Sequence, residues 1–310
     1  MSKREEILVS VVIPTYSRND MLEKAISCIQ NQTHQNLDII VVDDNQPESE
    51  FRISTEKIMQ KYAVDKRIRY IQNSKNLGGA GARNVGIKAS KGEYIAFLDD
   101  DDLYYPEKIE KQLKVFLKSS SNKLALVYCD VEHIGRNDHV DCVIRKRYRG
   151  NCLYEAIEDD CIASTSMWLV RKSLLEEVGN FSIVPCKQDS TVILKLLEKG
   201  YEVDFVPEVL CSYRNIASGV RISLGPKKVE GELIFYEACR KVYSRMTPKQ
   251  IRYIEFSFAK RLYVLYCHRK DEGREQRILE RNKMWRLRPV AAATFLLRRK
   301  IHVWKHRKKR

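Results

Sequence analysis

The stretch EYIAFLDDDDLYYP, residues 93–106, places four consecutive aspartates directly after a short apolar run. The apolar run, 94–98, has the length and composition of a buried strand. Carboxylates this close repel one another unless a cation or several hydrogen-bond donors compensate their charge. An acidic start to the next helix is one explanation, since the helix dipole favours it. Four aspartates after a buried strand instead favour a site for a hard cation.

Strand-like and helix-like segments alternate on both sides of this stretch. We predict strands near 7–13, 37–42, 68–72 and 124–129, and helices near 20–31, 48–63, 78–89 and 106–117. This alternation predicts an α/β fold with a mainly parallel central sheet. Ligands of such sheets bind outside the carboxyl ends of the strands. We therefore expect Thr15-Tyr16, Asp43-Asp44 and Asp99–Asp102, which each follow or end a predicted strand, to meet at one edge.

The charge of the chain is unevenly distributed, which predicts two functional parts. Residues 236–310 carry 23 Lys or Arg against 6 Asp or Glu, whereas the preceding part is close to neutral. After residue 219 the pattern becomes helical, with segments near 227–246, 248–270 and 289–306. We predict a Rossmann-like domain at 1–222 and a helical, basic C-terminal extension at 223–310.

Composition and cysteine usage exclude several classes of protein. The nine cysteines are scattered and never form CxxC, which disfavours a disulfide framework or a zinc site and favours reduced thiols. The first residues lack the apolar core of a signal peptide. The apolar stretch 289–297 is too short to span a bilayer. These features predict a cytoplasmic protein.

Four segments together resemble the family-2 inverting glycosyltransferases. They are VSVVIPTYSR, IIVVDDN, NLGGAGARNVGIKASKGEYIAFLDDDDLYYP and GYEVDFVPEVLCSYR, and the resemblance runs from about Leu8 to about Ser218. It implies the nucleotide-diphospho-sugar transferase (GT-A) fold, a nucleotide-sugar donor, in this family most often a UDP-sugar, and Mn²⁺ or Mg²⁺ as cofactor. The basic C-terminal part lies outside the resemblance.

The resemblance implies a set of donor-binding residues, which are Pro14, Thr15, Tyr16, Asp44, Arg83, Asp99, Asp100 and Arg214. Asp101 matches the direct metal ligand of the family. Asp99 or Asp100 matches the ribose contact, Asp44 a contact to the uracil ring, and Arg83 an arginine near the base. Arg214 matches a late loop that closes over the diphosphate.

Each of these assignments has a structural alternative in the sequence itself. Thr15 could be only a turn residue, and Asp44 only a polar cap on a strand. Arg83 could be a surface charge on its helix, and Arg214 a solvated loop arginine.

Asp189 matches the family's general base, which removes a proton from the acceptor hydroxyl. It opens the helical pattern QDSTVILKLLEKG, and Gln188 stands where a Glu is common. On a helix Asp189 shares a face with Val192, Ile193 and Leu196, so we expect it to point inward. The alternative is a helix N-cap, a position that Asp favours. The two roles are compatible.

The last thirty residues hold twelve Lys or Arg and no acid, with apolar residues and Trp304 at helical spacing. This pattern predicts a helix that lies on an anionic membrane surface at the inner face of the cell membrane. Such a position suits a lipid-linked or oligosaccharide acceptor. A solvated helix and a nucleic-acid patch are the alternatives, and no RNA-binding signature supports the second. A nucleotidyltransferase, or a membrane- or RNA-binding protein on a degenerate transferase scaffold, remain competing functions.

Overall fold

The computed structural model describes residues 6–19, 21–135, 139–160, 162, 164–214, 227–269 and 273–307. For residues 300–307 only the backbone is described. Contacts divide the chain into two compact units. The first comprises Met1–Ala156, Cys161–Val184 and Gln188–Val220, and the second Ile157–Asp160, Pro185–Lys187 and Arg221–Arg310. The predicted boundary between residues 222 and 223 lies outside the described residues.

Nine strands form one sheet within the described part of the first unit. They are β1 Val9–Thr15, β2 Leu37–Asp43, β3 Ile68–Gln72, β4 Tyr94–Phe97, β5 Leu103–Tyr104, β6 Leu124–Ile134, β7 Val140–Ile144, β8 Leu169–Arg171 and β9 Glu202–Arg214. The strand order is β3-β2-β1-β4-β8-β6-β9-β5, with β7 paired to β6. Strands β1 to β4, β6 and β9 run in one direction, and β5, β7 and β8 run against them. The mainly parallel α/β sheet predicted from the sequence is confirmed.

Seven α-helices lie between residues 22 and 198, in the part of this range that the structure describes. They are α1 Leu22–Gln30, α2 Glu50–Gln60, α3 Gly78–Ala89, α4 Lys108–Lys118, α5 Leu153–Asp159, α6 Lys172–Glu177 and α7 Gln188–Glu198. A short 3₁₀ turn at Thr165–Met167 precedes β8. Helix α1 buries Leu22, Ala25, Ile26 and Ile29, which are the apolar positions of its helical repeat.

The central strands are buried on both faces, as continuous apolar runs in a parallel sheet require. All seven residues of β2 and all four of β4 are buried. Gly86 of α3 lies so close to β1 that a Cβ there would meet Val12 Cγ1 at 2.3 Å. Dense packing of this kind fixes where the strand ends lie. In the register, Thr15 at the end of β1 pairs with Asp43 at the end of β2.

The second unit is helical in the part that the structure describes. It contains α8 Lys228–Arg240, α9 Pro248–His268, α10 Arg274–Leu287 and α11 Pro289–Arg307. A cluster of Phe256, Ala259, Met284 and Ala292 forms a small core of this unit. Among the described residues, no helix combines the length and the hydropathy needed to cross a membrane.

Helix α10 and the position of Arg214 differ from the sequence predictions. Helix α10 was not predicted, because its strongly polar sequence shows no apolar stripe. In the structure Met284 is its one buried residue. Arg214 was predicted to lie in a loop, but it is the last residue of β9, a strand that includes Pro207. Strand β9 extends beyond Pro207 because the residues after it pair with β6 and β5. The next residues, 215–226, lie outside the described part of the chain.

Candidate active site

The four consecutive aspartates follow β4, next to the carboxyl end of β1. Each carboxylate has a different partner in the surrounding structure. Thr15 Oγ1 donates to Asp100 Oδ2 at 2.7 Å, across 85 residues of sequence. Arg83 Nη2 donates to Asp99 Oδ1, and Arg18 Nη1 forms an ion pair with Asp101. The repulsion within the aspartate cluster is therefore offset by separate donors and cations.

The fourth aspartate of the cluster is the most deeply buried. Asp102 is fully buried, and Ser166 Oγ donates to its Oδ2 at 2.6 Å. The backbone N–H of Arg214 donates to its Oδ1 at 3.3 Å. Ser166 Oγ also accepts from the backbone N–H of Asp99 at 3.2 Å. Asp102 thus connects β4, the turn before β8 and the end of β9.

Burial changes the acidity of the two inward-facing carboxyl groups. Burial raises the pKa of Asp100 to about 7, although the Thr15 hydroxyl opposes this shift. Burial, followed by the charges of Asp99 and Asp101, raises the pKa of Asp102 well above its usual range. Asp99 and Asp101 are half-buried and lie closer to solvent. The cluster therefore contains two inner carboxyl groups and two outer ones.

One arginine joins the aspartate cluster to the start of α7. In addition to Asp99, Arg83 donates from Nη1 to Gln188 Oε1 at 3.4 Å. Its side chain is 11% exposed and lies over the ring of Phe181, 5.6 Å from the centroid. Arg83 is thus a half-buried arginine that bridges two elements. It is not a surface charge of α3, which was the structural alternative in the sequence.

Asp189 follows Gln188 in the first turn of α7. Its Oδ2 accepts from the backbone N–H of Ser164 at 2.9 Å, and its Oδ1 from that of Ser190 at 2.9 Å. Val192, Ile193 and Leu196 on the same helix are buried, whereas Asp189 is half-buried. Main-chain donors therefore fix the orientation of this carboxylate at the end of the apolar face.

Asp44 accepts four hydrogen bonds from the loop before α3. Oδ1 accepts from Asn73 Nδ2 at 2.7 Å and from Leu77 N at 2.8 Å. Oδ2 accepts from Asn76 Nδ2 at 2.9 Å and from Gly78 N at 2.8 Å. Burial raises the pKa of Asp44, and the Leu77, Asn73 and Gly78 donors oppose the shift. Asp44 holds this loop at the carboxyl end of β2, and its contact with a base remains a prediction.

The remaining predicted residues lie at the same sheet edge. Pro14 pairs with Val42 near the end of the β1–β2 register. Tyr16, directly after β1, is 51% exposed, so its ring faces solvent. Arg214 lies at the end of β9, where its backbone contacts Asp102. The structure thus brings the polar ends of β1, β2, β4 and β9 together.

Two residues of this site, Arg18 and Ser166, were not predicted from the sequence. Arg18 contacts Asp101 and lies 3.8 Å from Asp100 Oδ1, and Ser166 contacts both Asp99 and Asp102. Arg18 could have been identified from its position, because it is a basic residue in the turn PTYSR, three positions after Thr15. No sequence pattern marked Ser166, because its role depends on a contact across 64 residues.

The donor set suits a hard divalent cation that also binds a diphosphate. The carboxylate oxygens of Asp99 and Asp101 are ligands of the type that Mg²⁺ and Mn²⁺ prefer. Among the described residues, no group of three or more His, Cys, Asp or Glu side chains could hold a metal ion. Mg²⁺ is commonly held by one or two carboxylates together with substrate phosphates and water. The residues present fit such a shared site.

Comparison with known proteins identifies relatives of this chain. The sequence profile of Glycosyl transferase family 2 matches residues 10–179. An uncharacterized glycosyltransferase of Rickettsia conorii is 37% identical over 158 residues, which are 50% of this chain and 24% of that protein. The chain thus spans about a quarter or less of the length of the first curated relatives it matches.

Two further relatives have more specific names. The putative teichuronic acid biosynthesis glycosyltransferase TuaG of Bacillus subtilis is 26% identical, over 82% of this chain and 98% of that protein. WfgD of Escherichia coli, a UDP-Glc:alpha-D-GlcNAc-diphosphoundecaprenol beta-1,3-glucosyltransferase, is 32% identical over 44% of this chain and 50% of that protein.

The fold is shared with a solved structure of low sequence identity. The crystal structure of S. aureus TarS 1–349 has a TM-score of 0.66 and 16% identity, covering 93% of this chain and 83% of that one. Another structure of TarS 1–349 is a complex with UDP-GlcNAc. The GT-A fold expected from the sequence is confirmed.

Proposed function

The chain belongs to glycosyltransferase family 2, and from this membership we propose that it is a metal-dependent, inverting hexosyltransferase. It transfers a sugar from a nucleotide-diphosphate sugar to a hydroxyl group of a saccharide acceptor in surface polysaccharide synthesis. One observation carries the proposal. Arg83 joins Asp99, in the aspartate cluster after β4, to Gln188, the residue before Asp189. A predicted donor site and a predicted base are therefore adjacent.

The donor is a UDP-sugar that binds at the carboxyl ends of β1, β2 and β4. The name of WfgD specifies UDP-Glc, and a TarS structure contains UDP-GlcNAc. In this chain the exposed ring of Tyr16 and the loop held by Asp44 offer a stacking surface and backbone groups for the base. Asp99 accepts a hydrogen bond from a ribose hydroxyl, because it is half-buried and Asp100 is already bonded to Thr15.

Asp101, with Asp99 beside it, would hold Mn²⁺ or Mg²⁺ together with the diphosphate. Arg18 forms an ion pair with Asp101 in this structure. If Asp101 binds a cation instead, the Arg18 guanidinium would become available to pair with the diphosphate. A bound cation supplies compensation for the negative charge that develops on the leaving diphosphate. A guanidinium is well suited to share this role, because its planar fork matches phosphate oxygens.

Asp189 takes the proton of the acceptor hydroxyl. The N–H groups of Ser164 and Ser190 orient its carboxylate. A carboxylate oxygen can accept more than one hydrogen bond, so a hydroxyl donor can bind the oriented group as well. The deprotonated hydroxyl attacks the anomeric carbon from the face opposite the diphosphate, and the C–O bond to the diphosphate breaks. The configuration at that carbon is thereby inverted.

The acceptor is a lipid-linked saccharide, and the second unit binds the membrane that contains it. The name of WfgD specifies a diphosphoundecaprenol-linked acceptor. A surface cavity of about 610 Å³ in the second unit is lined by Lys249, Arg252 and Arg288, without an acidic side chain. Val290, which also lines this cavity, is 80% exposed, and Trp285 of α10 is 44% exposed. Cations next to exposed apolar side chains fit the surface of an anionic bilayer at the cytoplasmic face.

Nucleotide binding tests the enzymatic part of the proposal. Calorimetry with UDP, GDP and dTDP, each with and without Mn²⁺, is expected to show tight binding of UDP only with the metal. Asp101→Ala should lose this binding, whereas Asp65→Ala, which removes a half-buried carboxylate paired with Arg67, should keep it. Absence of binding by all three nucleotides to the wild-type protein would contradict the transferase assignment.

A further inference from the structure

Lys187, the residue directly before α7, lies in an ion cluster of the second unit. Lys187, directly before α7, forms an ion pair with Asp160, and its Nζ lies 3.6 Å from Glu232 Oε2 of α8. Arg261 Nε of α9 lies 2.6 Å from Glu232 Oε1. We name Lys187, Asp160, Glu232 and Arg261 the Lys187 cluster. It contains two cations and two carboxylates.

Glu232 is the central member of this cluster. Its side chain is 2% exposed, and it lies between the cations of Lys187 and Arg261. Burial lowers the pKa of Lys187, but the Asp160 and Glu232 carboxylates outweigh this effect and raise it. Removing one member of a buried ion cluster leaves an uncompensated charge in a medium of low dielectric. Glu232 therefore contributes, together with Asp160, to holding Lys187 in this position.

The backbone before α7 is closely packed as well. A Cβ on Gly231 of α8 would lie 2.4 Å from Cys186 Sγ and 2.8 Å from Cys186 N. Cys186 Sγ also lies 3.5 Å from the carbonyl oxygen of Lys228. Lys187 has a φ of 64°, a left-handed conformation that a residue with a side chain adopts only when its surroundings impose it. Helix α8 thus fixes both the path and the conformation of this segment.

This segment leads directly into the two residues that open α7. They are Gln188 and Asp189, and Asp189 is the proposed general base. We infer that Glu232 and Arg261 are positioning residues, which hold Asp189 in its catalytic orientation through Lys187. This inference rests on the proposed function of Asp189. It gives Glu232 and Arg261 a role that is separate from any membrane contact of the second unit.

Hydrogen exchange of the intact protein tests the positioning directly. In Glu232→Gln, amides of residues 185–191 should exchange at least tenfold faster than in the wild type, while those of β1 and β4 should not change. Glu232→Asp keeps the charge and should restore most of the protection. Glu255→Gln is the matched control, because it breaks a 2.6 Å ion pair with Lys283 in the same unit. Unchanged exchange at 185–191 in Glu232→Gln, or equal changes in both variants, would overturn the inference.

Donor turnover with water as acceptor provides the functional readout. We expect UDP release from UDP-glucose with Mn²⁺ to show a kcat at least tenfold lower in Glu232→Gln, with KM and UDP affinity within twofold of the wild type. Glu232→Asp should have a kcat close to that of the wild type. A general loss of folding in Glu232→Gln would not predict this recovery. A kcat within twofold of the wild type would contradict the positioning role. Wild-type protein that neither binds UDP nor releases it would refute the proposed function instead, and the exchange result would still decide whether Glu232 holds the segment.

Discussion

Arg83 Nη1 lies 3.4 Å from Gln188 Oε1, across 105 residues of sequence. The same guanidinium donates through Nη2 to Asp99, so one side chain connects the end of β4 to the start of α7. A planar fork with several donors can make both contacts at once, whereas the compact ammonium group of a lysine cannot. The bridge couples the proposed donor site to the residue before the proposed base.

Replacement of Arg83 by lysine should weaken donor binding. The charge is kept but only one of the two contacts can form, so Asp99 loses its fixed orientation. We expect the UDP affinity with Mn²⁺ to fall about tenfold, equivalent to about 1.4 kcal/mol, in a calorimetric titration. Arg171→Lys is the control, since Arg171 is also half-buried but lies over Tyr94 and Phe116. Equal affinity of Arg83→Lys and wild type would show that the bridge does not support the donor site.

Removal of the Arg18 guanidinium should increase the affinity for the free metal ion. Arg18 pairs with Asp101, so a divalent cation must displace it before it can bind that carboxylate. We expect Arg18→Gln to bind Mn²⁺ about tenfold more tightly than wild type in the absence of nucleotide. Electron paramagnetic resonance of free Mn²⁺ measures this, with Arg67→Gln, which breaks the Asp65 pair, as control. An unchanged affinity would mean that Arg18 and the metal do not compete for Asp101.

Replacement of Asp44 by asparagine should destabilise the fold. The carboxylate accepts four hydrogen bonds, and an amide would turn an NH₂ group towards two of these donors. Charge-assisted bonds and unsatisfied buried donors each contribute about 1–3 kcal/mol, so we expect a loss of about 3 kcal/mol in urea unfolding. A loss below about 1 kcal/mol would show that the loop tolerates a neutral acceptor.

Lys108 should give the stability of the protein a distinct pH dependence. It is fully buried, donating to Gln112 Oε1 at 2.8 Å and to the Trp168 carbonyl at 3.1 Å. Burial lowers the pKa of Lys108 to about 8, from 10.5. Between these pH values the unfolded chain binds a proton that the folded chain does not. Stability from this group therefore rises as the pH rises through that window.

The comparison with Lys108→Met isolates this effect. The free energy of unfolding of the wild type minus that of the variant should increase from about pH 8 to about pH 10.5, by up to about 3 kcal/mol. The difference cancels the titration of thiols and tyrosines that both chains share. Lys118→Met, at an exposed position, should show no such slope. A flat difference for Lys108→Met would mean that Lys108 keeps an ordinary pKa.

Neutralising the cavity of the second unit should reduce membrane binding. The combined variant Lys249→Gln, Arg252→Gln and Arg288→Gln removes three cations that line it. At about 1 kcal/mol per charge near an anionic surface, we expect a loss of at least tenfold in flotation with phosphatidylglycerol vesicles. Removing three exposed lysines of the first unit, Lys57, Lys88 and Lys118, is the charge-matched control. Equal flotation of both triple variants would contradict a local binding surface.

The order of the secondary structure could be predicted from the sequence. Apolar runs of strand length alternate with helical repeats, and both periodicities are local properties of the chain. The convergence of Thr15, Asp44 and Asp99 at one edge followed from the rule that parallel strands end together, and β1, β2 and β4 are neighbours in the sheet. Helix α10 was not predicted, because the sequence of a polar helix has no periodic pattern of apolar residues.

The partners of the charged residues were decided only by the tertiary structure. The sequence shows four similar aspartates. In the fold each has a different partner: Arg83 for Asp99, Thr15 for Asp100, Arg18 for Asp101 and Ser166 for Asp102. Likewise, the fold pairs Lys187 with the buried carboxylate of Glu232, which lies 45 residues later in the chain. Periodicity reports which side of an element is buried, because burial of apolar surface depends on the local pattern. Hydrogen bonds and ion pairs are directional and short, so they depend on how distant segments are placed by the packed core.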